Sequence, residues 1–408
     1  MGGTTSPVAH GAWSNSKFCG ATEQRIAYCP ADTYRSLNTP KTLQADSPGT
    51  PLEYMPQLDG LRALAVTAVL AQHYNVLVGG AGYGVHLFFV LSGFLITRIL
   101  LVERENVETL GITRVRAFRQ FYLRRMLRIF PLYYFVVLTG IALNVRNARE
   151  YAPWLLTYTF NLKMAAQGTV VGTFAHFWSL AIEEQYYLFW PWLILLLPRR
   201  RLATAAAITA AIAPLFRLYL ALTAQLGDRG DLWAYIGTPT ALDSLGIGSL
   251  IAILMSRESS AQMLRRSMEW IVPVFALVLV VVLEVIPHGL IHHVFLDTAA
   301  AAFFAWVIYT ASHGFTGITG KILAAAPLVF IGKISYGIYV YHPYVPAVMS
   351  RVARHFGIVL PMEGWIAAIF YTSLTVAVAT VSWYAFERPI NRLKRQFPYP
   401  TTASLEAR

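Results

Sequence analysis

Long apolar segments separated by short polar loops make up most of the chain after residue 55. Each apolar segment is continuous and about 20 residues long, which suits a membrane-spanning α-helix and not the alternating pattern of a barrel strand. The pattern predicts an all-α fold, a polytopic membrane helix bundle of about ten transmembrane helices. The predicted spans are residues 59–78, 83–102, 129–146, 176–197, 204–222, 240–256, 270–287, 294–312, 333–350 and 364–386.

The two ends of the chain differ from this pattern. Residues 1–54 are rich in Pro, Ser, Thr and Gly and lack a long apolar run, so we predict a disordered N-terminal tail. The membrane domain is predicted over residues 55–390, followed by a basic cytoplasmic tail over residues 391–408. Because Met55 directly precedes the first span, it is a candidate for the true start of the protein.

Composition and charge agree with a membrane protein. The chain is 56% hydrophobic and 13% charged, with a mean hydropathy of +0.49, which excludes an ordinary soluble enzyme. Most of the 33 Lys and Arg fall in alternate loops, so the positive-inside rule predicts that both termini are cytoplasmic and that the protein lies in the cell's inner (cytoplasmic) membrane. Counting residues 151–166 as a span would reverse the later loops, so we predict an interfacial or re-entrant segment there.

The first predicted span contains an arginine and a histidine on one face. Arg62 and His73 are eleven residues apart, which is about 20° from three full turns and about 16 Å along a helix. This places Arg62 near the cytoplasmic headgroups and His73 near mid-membrane. An arginine there suits an anionic ligand, and a histidine deeper on the same face suits a general base. Alternatively, Arg62 reaches lipid phosphate and His73 bonds a neighbouring helix.

The fourth predicted span carries two adjacent glutamates. Charged groups within a span are costly and are candidates for function. His176 and Glu183 are seven residues apart, so they lie about 20° from a common face. Glu183 is therefore a candidate to orient a histidine or to bind a substrate hydroxyl. The alternative for Glu183 and Glu184 is a hydrogen bond to an arginine of another helix.

Further polar candidates lie in the sixth and ninth spans. Ser335, Tyr339 and His342 follow the spacing i, i+4 and i+7 and so share one helix face. Such a face suits a sugar, but it is also typical of an aromatic belt with a satisfied histidine. Asp243 is a lone acid in the sixth span, and a packing hydrogen bond explains it as well as a role in a site does.

The basic segment before the third span has two interpretations. Arg124, Arg125 and Arg128 have helical spacing and suit a phosphate-binding face. The same residues also suit the positive-inside signal, with anionic lipid bound to them.

Several motifs that are typical of common enzyme classes and metal sites are absent from the sequence. The chain contains no P-loop, no G-x-G-x-x-G, no G-x-S-x-G and no H-E-x-x-H. His288, His292 and His293 form a cluster, but few carboxylates lie near them in sequence, and we predict no metal site. Cys19 and Cys29 lack metal-ligand spacing.

Several of these residues fall within motifs that resemble one family, the acyltransferase 3 family of integral-membrane acyltransferases. They include the R-x10-H pair of Arg62 and His73 and the sequence F-W-S-L-x-x-E-x-Q-Y-Y at 177–187. The family often has Arg two residues before Asp243, where this chain has Ala241. The matching segments run in family order over residues 58–63 with His73, 84–96, 121–133, 177–187, 335–342 and 387–389.

The resemblance implies an O-acyltransferase domain over residues 55–390, with acyl-CoA, usually acetyl-CoA, as co-substrate and no permanently bound cofactor. It implies a surface or secreted glycan, such as polysaccharide, lipopolysaccharide or peptidoglycan, as acceptor, and it makes Arg62 and His73 the essential pair. Two other hypotheses remain. One is a proton-coupled transporter that uses His73, Glu183 and Asp243 as a relay, and the other is a non-catalytic scaffold in a polysaccharide assembly complex.

Overall fold

The structure is a computed structural model that describes residues 54–76, 82–223, 228–285, 289–358, 360 and 364–398. The chain divides into two units, Met1–Gln44 and Ala45–Arg408, and every described residue lies in the second. The predicted N-terminal tail, with both cysteines, lies outside the described residues apart from Tyr54.

Helices and the turns that join them make up the described residues, and no strand is present among them. The α-helices are α1 (Pro56–His73), α2 (Gly82–Thr109), α3 (Arg114–Ala142), α4 (Ala152–Leu156), α5 (Phe160–Gln167), α6 (Phe177–Leu196), α7 (Arg199–Leu222), α8 (Asp228–Ile236), α9 (Leu242–Met255), α10 (Glu258–Arg266), α11 (Val272–Val285), α12 (Leu290–His313), α13 (Gly317–Leu323), α14 (Ala326–Tyr341), α15 (Tyr344–Phe356), α16 (Gly364–Ser382) and α17 (Arg388–Arg392).

Six helices within the described ranges are long and apolar enough to cross a membrane, or up to eight if each of two bent pairs forms one span. The all-helical, multi-pass prediction is therefore confirmed, whereas ten spans and two cytoplasmic termini stay predictions. Helices α1 and α6 are not among these spans, because polar residues such as Asp59, Arg62, Glu183 and Glu184 lower their mean hydropathy.

Three predicted boundaries change where candidate residues lie. Helix α1 ends at His73, five residues before the predicted end at 78, and Asn75 beyond it has a left-handed φ of 57°. His73 is thus at a helix end and not at the middle of a span. Helix α3 begins at Arg114, where the side chain of Thr113 accepts a hydrogen bond from the Arg116 N–H. The arginines predicted in a loop before the third span are therefore helical. The apolar segment 151–166 contains two short helices, α4 and α5.

Close helix packing brings the polar faces together. Helix α1 packs against α2 and α14, and α2 packs against α9. Gly93 of α2 and Gly248 of α9 each lie against the backbone of the other helix, where a Cβ atom would overlap a carbonyl oxygen. Small residues thus let buried hydroxyls bond across this contact, as Thr97 Oγ1 does to Ser249 Oγ at 2.8 Å.

Candidate active site

A cavity of about 100 Å³ lies among α1, α2, α3, α6 and α14. It brings together polar side chains that are far apart in sequence and three apolar side chains of α2. The lining residues are Arg62, Val85, Phe88, Phe89, Ser92, Arg125, Arg128, Ile129, Ser179, Leu180, Glu183, Ser335, Tyr336 and Tyr339.

Three arginines line one end of this cavity, which we call the arginine end (Arg62, Arg125 and Arg128). Arg62 Nη1 donates to Asp59 Oδ1 at 2.7 Å, a pair three residues apart on α1. The guanidinium of Arg125 lies 3.9 Å from the ring centre of Tyr187, in a cation–π contact. Arg128 is exposed, so the positive charge reaches the surface of the bundle at this end.

Arg125 is weakly held compared with an ordinary buried ion pair. Its nitrogens lie 3.7 Å from Glu183 Oε2 and 3.9 Å from Glu184 Oε1, which is beyond hydrogen-bond distance. Its Nε has no hydrogen-bond partner among the described residues. A buried guanidinium with an unused donor is positioned to bind an anionic group that enters the cavity.

Glu183 lies beside Arg125 in the wall of the cavity. Ser92 Oγ donates to Glu183 Oε1 at 2.5 Å, and Tyr187 OH donates to Ser92 Oγ at 2.8 Å. The sequence indicated Glu183 as a partner for a histidine, but these contacts fix it to Ser92 and Arg125 instead. His176 lies just before the start of α6, and its ring contacts those of Tyr339, His342 and Tyr344.

A buried tyrosine occupies the middle of the site. Tyr339 OH donates to the backbone carbonyl of His176 at 2.7 Å and lies 2.5 Å from Ser179 Oγ. Ser335 also lines the cavity, one turn of α14 closer to the arginines. Of the predicted face, Ser335 and Tyr339 line the cavity, whereas His342 lies just beyond the end of α14 and outside the cavity lining.

Three histidines meet at the other end, which we call the histidine end (His73, His176 and His342). The ring centres of His73 and His342 are 4.6 Å apart, and those of His176 and His342 are 5.2 Å apart. His342 is fully buried and places Nδ1 2.7 Å from the carbonyl of Tyr339. The Nε2 atom of His342 has no hydrogen-bond partner among the described residues. His73, in contrast to His342, is exposed. These histidines do not line the cavity, but Tyr339 connects them to it, with its ring 5.6 Å from that of His342.

Arg124 does not belong to this arrangement. Its Nη1 donates to the carbonyls of Lys394 and Phe397, at 3.0 and 2.8 Å. Arg124 thereby holds the C-terminal 3₁₀ helix Leu393–Gln396 against α3. Of the three arginines predicted to form a phosphate-binding face, Arg125 and Arg128 line the cavity and Arg124 does not.

Asp243 belongs to a separate and fully buried group. Its Oδ2 accepts from Arg217 Nη2 at 2.5 Å and from Thr298 Oγ1 at 2.7 Å. The family often has an arginine at the position of Ala241, and here Arg217 of α7 supplies the positive charge beside Asp243 instead. Among the described residues these contacts lead to α7 and α12 and not to Glu183 or His73, so they do not connect the three residues of the hypothetical relay.

Several residues of the site were not among the candidates. Ser92, Ser179, Tyr187 and Tyr336 are hydroxyl groups on the helices of the motifs, and the only available signal was their place within those motifs. No group of three or more His, Cys, Asp or Glu that suits a metal ion occurs in the part of the chain that the structure describes, and His288 lies outside it.

Comparison with known proteins identifies a family match and several relatives. Residues 55–384 match the acyltransferase 3 family, described as an acyltransferase domain. The chain is 28% identical over 369 residues to the peptidoglycan O-acetyltransferase OatA of Listeria monocytogenes, covering 83% of this chain and 56% of that protein. It is 29% identical over 365 residues to the putative peptidoglycan O-acetyltransferase YrhL of Bacillus subtilis, covering 83% and 55%.

The O-acetyltransferase OatA of Staphylococcus aureus is 27% identical over 360 residues, covering 83% of this chain and 57% of that protein. The chain thus spans little more than half the length of these relatives. No solved structure matches the chain.

Proposed function

We propose a donor, a route and an acceptor for this chain, which belongs to the acyltransferase 3 family and is an O-acyltransferase. The donor is an acyl-CoA, most simply acetyl-CoA, which enters from the cytoplasm at the arginine end. The acceptor is a hydroxyl group of a surface or secreted glycan, which is acylated at the inner membrane.

The observation that carries the proposal is the group of incompletely bonded arginines in the cavity. Arg62, Arg125 and Arg128 present planar guanidinium groups, which bind two oxygens of a phosphate at once. The best-buried of them, Arg125, retains a donor with no partner among the described residues. An anion that carries several phosphates, as CoA does, suits such a wall better than a neutral solute does.

The distance between the arginines and the histidines supports the choice of donor. Arg62 and His73 lie at opposite parts of one continuous helix, about 16 Å apart along its axis. The long pantetheine arm of CoA likewise separates its phosphates from its thioester. Phosphates held at the arginine end would therefore allow the thioester to approach Tyr339 and the three histidines.

His73 is proposed as the group that handles the proton or the acyl group. In direct transfer, the acceptor oxygen bonds to the thioester carbonyl carbon, the C–S bond breaks, His73 takes the hydroxyl proton and CoA leaves as the thiol after gaining a proton. In covalent transfer, His73 first takes the acyl group and releases CoA, and the acceptor hydroxyl then attacks the acyl-imidazole. Both routes require His73.

A glycan acceptor follows from the relatives. Two of them are named for peptidoglycan, and all are named O-acetyltransferases. We therefore propose acetyl as the acyl group and an envelope glycan as its acceptor. Mass spectrometry of surface glycans from cells with and without the gene tests the acceptor, since the gene's loss should remove an acyl group from one glycan. Unchanged acylation of all surface glycans would contradict it.

The donor is tested in proteoliposomes supplied with acetyl-labelled acetyl-CoA and envelope glycan. The account predicts release of free CoA with label on the glycan for the wild type and for Gln72→Ala, the neighbouring control. His73→Ala should give neither. Movement of a solute across the membrane without any release of CoA would favour the transporter hypothesis and contradict ours.

A further inference from the structure

Beside the cavity, on the histidine side of the bundle, aromatic rings adjoin a partly exposed carboxylate. The ring centres of Trp178 and Tyr235 are 5.2 Å apart, and Tyr235 is 52% exposed. The Asp297 side chain is 34% exposed and lies 3.3 Å from His86, whose ring is edge-on to that of Phe89, the neighbour of Trp178. None of these residues was assigned a role above.

Both carboxylate oxygens of Asp297 have basic partners inside the bundle. His86 Nε2 lies 3.3 Å from Asp297 Oδ1, and Arg217 Nη1 lies 3.1 Å from Oδ2. His86 is fixed in turn by Ser244, whose Oγ lies 3.0 Å from Nδ1. The buried pair of Arg217 and Asp243 therefore anchors a carboxylate whose exposed edge stays in one place.

This group is continuous with the cavity. Phe89 lines the cavity, and its ring is 6.0 Å from that of Trp178 and 6.5 Å from that of His86. Ser179, the residue after Trp178 on α6, also lines the cavity. A molecule held against Trp178 and Tyr235 would thus lie beside the cavity.

We propose that Trp178, Tyr235, Asp297 and His86 form an acceptor subsite that binds a sugar ring of the glycan. A hexose has an apolar face of C–H groups that packs on aromatic rings, and a rim of hydroxyls that donate to a fixed carboxylate. A lipid-facing aromatic belt does not explain the group, because a partly exposed aspartate is costly against lipid. The subsite rests on the proposed function, since it places the acceptor of that reaction.

The subsite is tested by binding and by kinetics in nanodiscs, with a tetrasaccharide of alternating N-acetylglucosamine and N-acetylmuramic acid. Saturation-transfer NMR measures binding without a donor. Tyr235→Ala should weaken binding about tenfold, whereas Tyr235→Phe keeps the ring and most of the binding. The matched control is Tyr219→Ala, because Tyr219 is 55% exposed on α7 and lies outside the subsite.

Kinetics give a second measurement. Tyr235→Ala should raise the KM for the tetrasaccharide by a similar factor and leave the KM for acetyl-CoA unchanged. Asp297→Asn should act in the same direction, but the exposed Tyr235 carries the test because its replacement leaves the anchor intact. Wild-type binding in Tyr235→Ala would overturn the subsite. If the wild type binds the tetrasaccharide but never releases CoA from acetyl-CoA, the proposed function fails while the NMR measurement still decides the subsite.

Discussion

Two arginines in this bundle have side chains that are only 3% (Arg217) and 20% (Arg125) exposed, yet they are bonded in opposite ways. Arg217 directs Nε to Val294 O, Nη1 to Thr240 O and Asp297, and Nη2 to Asp243 and Thr298, so every nitrogen has a partner. Arg125 has ion pairs of only 3.7 and 3.9 Å and a buried Nε with no hydrogen bond among the described residues.

The difference separates a structural charge from one that is available to a ligand. Arg217 has no donor left for another molecule, and it is 3% exposed, so its network fixes helices in place. Arg125 keeps unused hydrogen-bonding capacity beside a cavity that opens toward the exposed Arg128. Burial alone therefore does not identify a functional charge in a membrane bundle, whereas its hydrogen bonds do.

The largest expected effect is that of His73→Ala. We expect acyl transfer to fall by about 100- to 10,000-fold, because the group that accepts the proton or the acyl group is lost. Folding and insertion should be unchanged, since the helix becomes more apolar. Initial rates of CoA release, with circular dichroism and gel filtration as folding controls, measure both.

A relocated histidine makes the same test sharper. In the double variant Gln72→His, His73→Ala, the imidazole turns about 100° away from the face of Arg62 and the contact with His342. It should be as inactive as His73→Ala. Normal transfer by this variant would show that the shared face is irrelevant.

Next in size is the loss of stability in Arg217→Ala. Removing the arginine leaves Asp243 charged and unpaired in a fully buried position, which costs about 3–5 kcal/mol. Arg128→Ala should cost no more than about 0.5 kcal/mol, because Arg128 is exposed. Unfolding in detergent measures the free energy of unfolding of both variants. Equal losses would contradict the distinction between a structural arginine and one that is available to a ligand.

A smaller effect separates two serines. Ser92→Ala removes the hydrogen bond to Glu183 at the cavity and should slow transfer by about tenfold or less with little change in stability. Ser249→Ala takes a partner from Thr97 and Tyr186 in the packed contact of α2 and α9. It should lower the free energy of unfolding by about 1–3 kcal/mol and leave the KM for the donor unchanged. Slower transfer in Ser249→Ala together with a loss of stability in Ser92→Ala would contradict the assignment of Ser92 to the site and of Ser249 to helix packing.

Helical periodicity predicted those parts of the site that lie on single helices. Arg62 and His73 share a face because α1 is continuous between them, and Ser335 and Tyr339 line the cavity because α14 is regular there. The predicted end of α1 at residue 78 was wrong, because Asn75 adopts a left-handed conformation that the apolar pattern does not indicate.

Contacts between helices could not be derived in this way. The bond from Ser92 to Glu183 joins residues 91 positions apart, and the partner of Asp243 comes from α7. Arg124 has the same spacing signal as Arg128, but the C-terminal segment accepts its hydrogen bonds. Spans were predicted at 59–78 and 176–197, but α1 and α6 are not among the helices apolar enough to cross a membrane, because the polar residues that form the site lower their mean hydropathy.

Under the proposed function, the incompletely bonded arginines bind the phosphates of the donor. A direct test of this binding compares the Kd of acetyl-CoA with that of S-acetylpantetheine, which keeps the thioester but lacks the nucleotide, for wild type and Arg128→Ala. Arg119→Ala is the matched control, because Arg119 is exposed on the same helix and does not line the cavity. We predict that Arg128→Ala weakens acetyl-CoA binding about tenfold or more and leaves S-acetylpantetheine binding unchanged, with Arg119→Ala like the wild type. Equal weakening of both donors, or no change in acetyl-CoA binding, would contradict the account.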